Sequence, residues 1–162
     1  MQSTEKSIHP QVTPAAVMEA FDTPVGLPIS RQARRMATVL NEVIVTLTGE
    51  HVSCVRAGFS RRMTIGALED RQVKAIHRLR SIIAALTKHA NPQLATSKSV
   101  VDTAWEMRPQ WFEADDHAWK MRAHPKGTAQ LEISPHIAWR LNRIVAHSHP
   151  GAIASQHLTG TL

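Results

Sequence analysis

A chain of 162 residues is long enough to bury one sizeable core, and 43% apolar with 20% charged residues is an ordinary globular composition that excludes disorder over most of the length. No apolar run reaches the roughly 18 residues of a membrane span, and the single cysteine, Cys54, excludes an internal disulfide or a multi-thiolate zinc site within one chain. The formal net charge of +6 is uneven, with −2 over residues 1–30, +7 over 31–90 and +1 over 91–162.

Residues 1–12 read as a loose tail. Thr13-Pro14 supplies an N-cap and a proline at the first helical position, predicting a short helix to about Phe21. Asp22-Thr23-Pro24 and Gly26-Leu27-Pro28 then break the chain, and Ser30 caps the next helix. Met36, Val39, Leu40, Val43, Ile44 and Leu47 follow steps of three and four, the period of an amphipathic helix. The last six residues, Val43–Thr48, are rich in β-branched side chains and support a rival reading. In it they form one strand of a hairpin that turns at Gly49-Glu50 into His51–Arg56. Gly58 and Ser60 mark a break, after which Thr64 is read as the cap of a longer helix. Its apolar stripe is Ile65, Leu68, Val73, Ile76, Leu79, Ile82, Ile83 and Leu86, ending before Pro92.

Beyond a polar loop at 92–99, Val100, Val101, Ala104 and Met107 predict a helix over 99–107. Trp111–Met121 reads as another, after the interruption at Pro109. His124–Gly127 is a turn and Ala129–Ile133 an extended segment. Ser134-Pro135 then repeats the cap-plus-proline signal ahead of Ile137, Leu141, Ile144 and Val145. The expected fold is mainly α, a small multi-helix domain over 31–150. An N-terminal tail, short helix and linker (1–30) precede it and a flexible C-terminal tail (151–162) follows. The alternative is α+β with a hairpin at about 43–57.

Nine of the eleven Lys and Arg residues in the basic middle third are arginines. Arg forks over phosphate or carboxylate in a way that Lys cannot. Arg31, Arg34 and Arg35 fall in the first turns of a predicted helix, where the dipole disfavours cations. A bound phosphate offsets that repulsion, as does pairing with acids such as Glu69 and Asp70. Arg71, Lys74 and Arg78, at i, i+3, i+7, share one helix face. With Arg61 and Arg62 these residues are the candidate nucleic-acid contacts.

Trp105, Trp111 and Trp119 lie among acids in one stretch and are read either as core or as anchors of a protein interface. Glu113, Asp115 and Asp116 are the carboxylates available there for acid–base chemistry. Cys54 with His51 reads as a buried structural thiol rather than a nucleophile pair. His147-Ser148-His149-Pro150 resembles, over four residues, the zinc-binding string of JAMM-type metalloproteases. That family's pattern continues with Ser and Asp where this chain has His157 and Gly160, so the resemblance stops there. His147, His149 and His157 remain as weak metal ligands.

The leading functional expectation is a non-enzymatic accessory or regulatory protein, requiring no cofactor, that contacts a nucleic-acid backbone through its Arg-rich helical face. The alternative is an adaptor, inhibitor or assembly subunit meeting an acidic protein surface, as a homo-oligomer or within a larger complex. A small metal-dependent hydrolase using the C-terminal histidines is third. The opening MQSTEKSIHP has no apolar segment of the secretory kind, and a reducing cytoplasmic setting is expected.

Overall fold

The computed structural model describes residues 12–49, 59, 61–88 and 94–149. These form five helices and a four-stranded antiparallel sheet, a small α+β arrangement, so the mainly α fold read from periodicity holds only in part. Helix α1 (Pro14–Asp22) begins as its sequence demands, with the Thr13 hydroxyl accepting from the Ala16 N–H at 3.3 Å and Pro14 in the first turn. It packs into the common core, with Ala16, Val17 and Ala20 buried. Its Glu19 carboxylate accepts the Ser30 N–H at 2.6 Å, while the Ser30 hydroxyl accepts from Ala33 at 3.1 Å. One element thereby fixes the start of the next.

Helix α2 (Arg31–Thr48) runs through the contested segment Val43–Thr48 and stops at Gly49. There φ of 70° lets the Gly49 N–H bond the Val45 carbonyl at 2.8 Å. Its buried stripe is the one expected from the three-and-four spacing. The other half of the rival hairpin, residues 50–57, lies outside the described residues.

The strand that does occur nearby is β1 (Arg62–Ile65), alternating exposed and buried residues. Thr64 therefore does not cap a helix. Helix α3 (Asp70–Thr87) starts at a capping box in which the Glu69 N–H donates to the Gln72 side chain at 3.1 Å. Ile65 extended the apolar period of α3 by coincidence, because in β1 it points into the same core from an extended backbone. Helix α4 (Leu94–Glu106) begins earlier than the 99 read from sequence.

The segment 111–121 is a hairpin and not a helix. β2 (Phe112–Ala114) pairs with β3 (Trp119–Ala123), and β3 pairs through the His124–Gly127 turn with β4 (Ala129–Ile133). Asp115, Asp116 and His117 at the first bend all have positive φ, of 53°, 56° and 63°. Asp and His are among the few non-glycine residues enriched there. The sheet order is β1-β4-β3-β2, and helix α5 (Pro135–Val145) follows β4 directly.

Register places Met63, Ile65, Leu131, Ile133, Trp119, Met121, Phe112 and Ala114 on the inner face, against the helices. Two polar ties are buried with this core. The Asn142 side chain accepts from the Phe59 N–H at 2.5 Å and donates to the Phe59 carbonyl at 2.8 Å. Arg80, 5% exposed, forks onto Asp115 with Nε–Oδ2 of 2.7 Å and Nη2–Oδ1 of 2.8 Å, and donates to Ser97 Oγ at 2.7 Å.

The two halves of that pair are unequal, because the Asp115 side chain is 27% exposed where Arg80 is 5%. Asp115→Ala strands a buried charge and is expected to cost about 3–5 kcal/mol. Arg80→Met leaves a carboxylate that water can reach and is expected to cost less. Urea unfolding of the two variants checks the order, and equal costs would contradict this account.

Candidate nucleic-acid interface

The cations singled out in the sequence separate into three places. Arg71, Lys74 and Arg78 line a shallow groove of about 170 Å³ between α3 and α2, with Ala75 on the same helix and Val43 and Thr46 opposite. The i, i+3, i+7 spacing does bring their side chains to one surface. No carboxylate is among the groove's lining residues. Among the described residues, Arg71 and Lys74 have no ion-pair partner, and Arg78 is half-buried. Next to Arg78 in the chain but not among the groove's lining residues, His77 has its Nδ1 3.3 Å from Ser97 Oγ. Burial, and then the charges of Arg80 and Arg78, hold this imidazole below its ordinary pKa.

Arg31, Arg34 and Arg35 are exposed on the first turns of α2, without a carboxylate in ion-pair contact among the described residues. They therefore do not pair with Glu69 or Asp70. Arg35 and Thr46 are separated by about 16 Å along the helix axis at about 1.5 Å per residue, so this group and the groove are distinct.

Arg61 and Arg62 belong to the sheet. Arg62 donates to Glu132 Oε2 through Nη2 at 2.7 Å and Nε at 3.1 Å, while Arg61 and Lys120 approach Oε1 at 3.7 and 3.6 Å. The Arg62 hydrogen bond, helped by the charges of Lys120, Arg62 and Arg61 and opposed by burial, holds the Glu132 carboxyl below its ordinary value.

The tryptophans also part company. Trp119 is 2% exposed and donates from Nε1 to Asp115 Oδ2 at 2.6 Å, which makes it core and removes it as an interface anchor. Trp105 is half-buried at the end of α4, with the Arg108 guanidinium 4.3 Å from its ring centroid. Trp111, half-exposed, is approached by Lys120 and Arg122 at 4.8 Å and by Arg62 at 5.5 Å. Sequence reasoning does not single out Trp139. It lies off the Ile137–Leu141–Ile144 face, is 41% exposed, and meets Phe21 edge-on at 6.1 Å.

Of the acidic residues, Asp115 serves as an anchor, whereas Glu113 Oε2 lies 2.5 Å from His117 Nδ1. That pair borders a second cavity of about 180 Å³ with Arg61, Lys120, Glu132 and Ser134. Both cavities fall below the few hundred Å³ usual for small-molecule sites. At the C-terminus, His147 Nε2 bonds the Ala20 carbonyl at 2.7 Å, which requires that nitrogen to carry the proton. His157 lies outside the described residues, and no group of three or more His, Cys, Asp or Glu side chains among the described residues is placed to hold a metal. Among them, too, no helix is long and apolar enough to cross a membrane.

No protein-family model matches the chain, and no curated protein or solved structure is detectably similar to it.

The Glu132 cluster has a definite acid signature. A carboxyl whose folded pKa is depressed contributes stability that is present above its unfolded value and is lost as pH falls through the lower folded value. The stability gap between the native chain and Glu132→Gln should therefore stay level above about pH 5 and close below about pH 4.5. Thermal unfolding across that range checks it, and a gap unchanged down to about pH 3 would show that the charge is not what matters.

Proposed function

We propose that the protein binds a nucleic-acid phosphate backbone through the groove between α2 and α3, as a non-enzymatic accessory or regulatory protein. The observation that carries this reading is the convergence of Arg71, Lys74 and Arg78 on one groove whose lining holds a hydroxyl, Thr46, and no carboxylate. Arginine stays charged at any physiological pH and offers paired donors in a plane. Cations gathered without acids create a local positive potential that attracts a polyanion. The volume of about 170 Å³ suits surface contact with a phosphate group better than enclosure of an organic ligand. Arg31, Arg34 and Arg35, about 16 Å farther along α2, would serve as a separate set of auxiliary contacts to the same backbone. Such contacts give affinity with little sequence reading.

An acidic protein surface is the rival partner, and salt weakens both. Competition by unrelated DNA separates them, because it displaces a backbone binder and leaves a specific protein complex in place.

Fluorescence polarisation with labelled oligonucleotides over a salt series tests the reading. Changing Arg71, Lys74 and Arg78 together to Ala should weaken binding at least about tenfold at low salt. It should also reduce the slope of log K against log salt by about one unit for each phosphate no longer neutralised. The Arg31, Arg34, Arg35 triple variant should show a smaller effect. Undiminished affinity in the groove variant would end this reading.

A further inference from the structure

The sheet turns its inner face to the helices; on the other, among the described residues, Arg62, Thr64 and Glu113 are exposed, Lys120, Arg122 and Gln130 half-buried and Glu132 buried. Register puts Arg62 and Thr64 of β1, Gln130 and Glu132 of β4, Lys120 and Arg122 of β3 and Glu113 of β2 on that outer face. Extending the Phe112↔Met121 pairing by one step sets Trp111 opposite Arg122, on the same side. Three cations from two strands then surround one indole, at 4.8 Å for Lys120 and Arg122 and 5.5 Å for Arg62. We propose that this outer face binds single-stranded nucleic acid, with an unpaired base stacking on Trp111 and the flanking phosphates met by Arg62, Lys120 and Arg122. The inference rests on the nucleic-acid reading above and specifies the class of nucleic acid.

Charge and shape both lead there. Glu132 and Glu113 are the carboxylates on the face, and each is engaged, Glu132 by Arg62 and Lys120 and Glu113 by His117. Arg122 reaches the Gln130 amide oxygen at 2.6 Å, and its Nε is buried with no hydrogen-bond partner among the described residues. Three cations against two carboxylates leave the face with a positive excess around the indole. A single strand alternates a π-face with a negative phosphate in the same way, and base–aromatic stacking with backbone cations is a general mode of single-strand recognition. In a duplex both faces of a base are already covered by its neighbours, so a ring lying on a sheet cannot reach them. Guanidinium planes that now rest against the indole can stack on a base as readily as they can turn to a phosphate. An acidic polypeptide would satisfy the cations but has no repeating flat group for the ring.

The test compares an unstructured homopyrimidine strand with a duplex of equal length, by polarisation, for the native chain, Trp111→Ala, Trp111→Phe and the groove triple variant. Trp111→Ala should lower single-strand affinity by about 5-fold to 150-fold, the worth of stacking one base on an aromatic ring, and change duplex affinity less than about twofold. Trp111→Phe keeps a ring and the fold and should retain most of the affinity. The quenching of tryptophan emission seen when the native chain binds should largely disappear in it. Equal weakening for strand and duplex, or quenching that survives in Trp111→Phe, would overturn the inference. Poly-glutamate bound as tightly as the strand would overturn it in favour of an acidic protein partner. If the groove variant abolishes binding while Trp111→Ala has no strand-specific effect, this inference fails and the groove reading stands. The opposite pattern removes the groove and keeps the sheet face.

Discussion

A guanidinium that is 5% exposed has to find all its partners inside the protein, and Arg80 finds them on two other elements. Asp115 takes Nε and Nη2, and Ser97 of α4 takes Nη1. Asp115 also receives the Trp119 indole, and Ser97 lies beside His77. Helix α3, helix α4 and the β2–β3 hairpin are joined at this one charge. Replacing such a pair by apolar groups is often neutral or stabilising, so its contribution is better sought in specificity of arrangement than in net stability. The arrangement is demanding here, since Asp115, Asp116 and His117 all hold left-handed backbone, a conformation that costs energy at each residue and persists where the surroundings over-determine it. With the bend fixed, β3 alternates as it must, and Lys120 and Arg122 face away from the core beside Trp111.

The arginine-rich composition therefore does not describe one surface. Arg80 is an internal tie and Arg62 a cross-strand clasp on Glu132. Arg71, Lys74 and Arg78 border a groove, and Arg31, Arg34 and Arg35 stand apart at the start of α2. Net charge reports the sum of these roles. The distinction between them rests on which carboxylates each side chain meets, and that depends on contacts between residues tens of positions apart.

Local chemistry explains what could be read from the sequence. Thr13-Pro14, Ser30, the His124–Gly127 turn and Pro135 mark boundaries through interactions within a few residues and are found where the chain suggested, although the Ser134 side chain makes no capping hydrogen bond and Gly49, read only as a hairpin turn, ends α2 instead. The amphipathic period of α2 prevailed over the β-branched run at its end because eight buried side chains share one face. Three strands escaped, β1 for one reason and the β2–β3 pair for another. Arg62–Ile65 is four residues long, too short for alternation to stand out against the apolar stripe of α3 that follows. In Trp119–Ala123 the alternation is present, but it continues from a bend of two Asp and a His, without the glycine that usually announces a hairpin. The groove cations were legible from helical spacing. The sheet face was not, because it needs the register that sets β1 beside β4 and β3 beside β2.

That register carries a cost in time. The β3–β4 seam closes across a short turn, whereas Arg62↔Glu132 joins residues 70 apart in the chain, and contacts between distant segments form late because loop closure must precede them. Until β1 arrives, β4 is an outer strand with an unpaired backbone edge, and it carries Leu131 and Ile133. Edges of this kind can pair with another copy of themselves. In the native sheet Arg62, at the start of β1, clasps Glu132 where that strand covers the β4 edge.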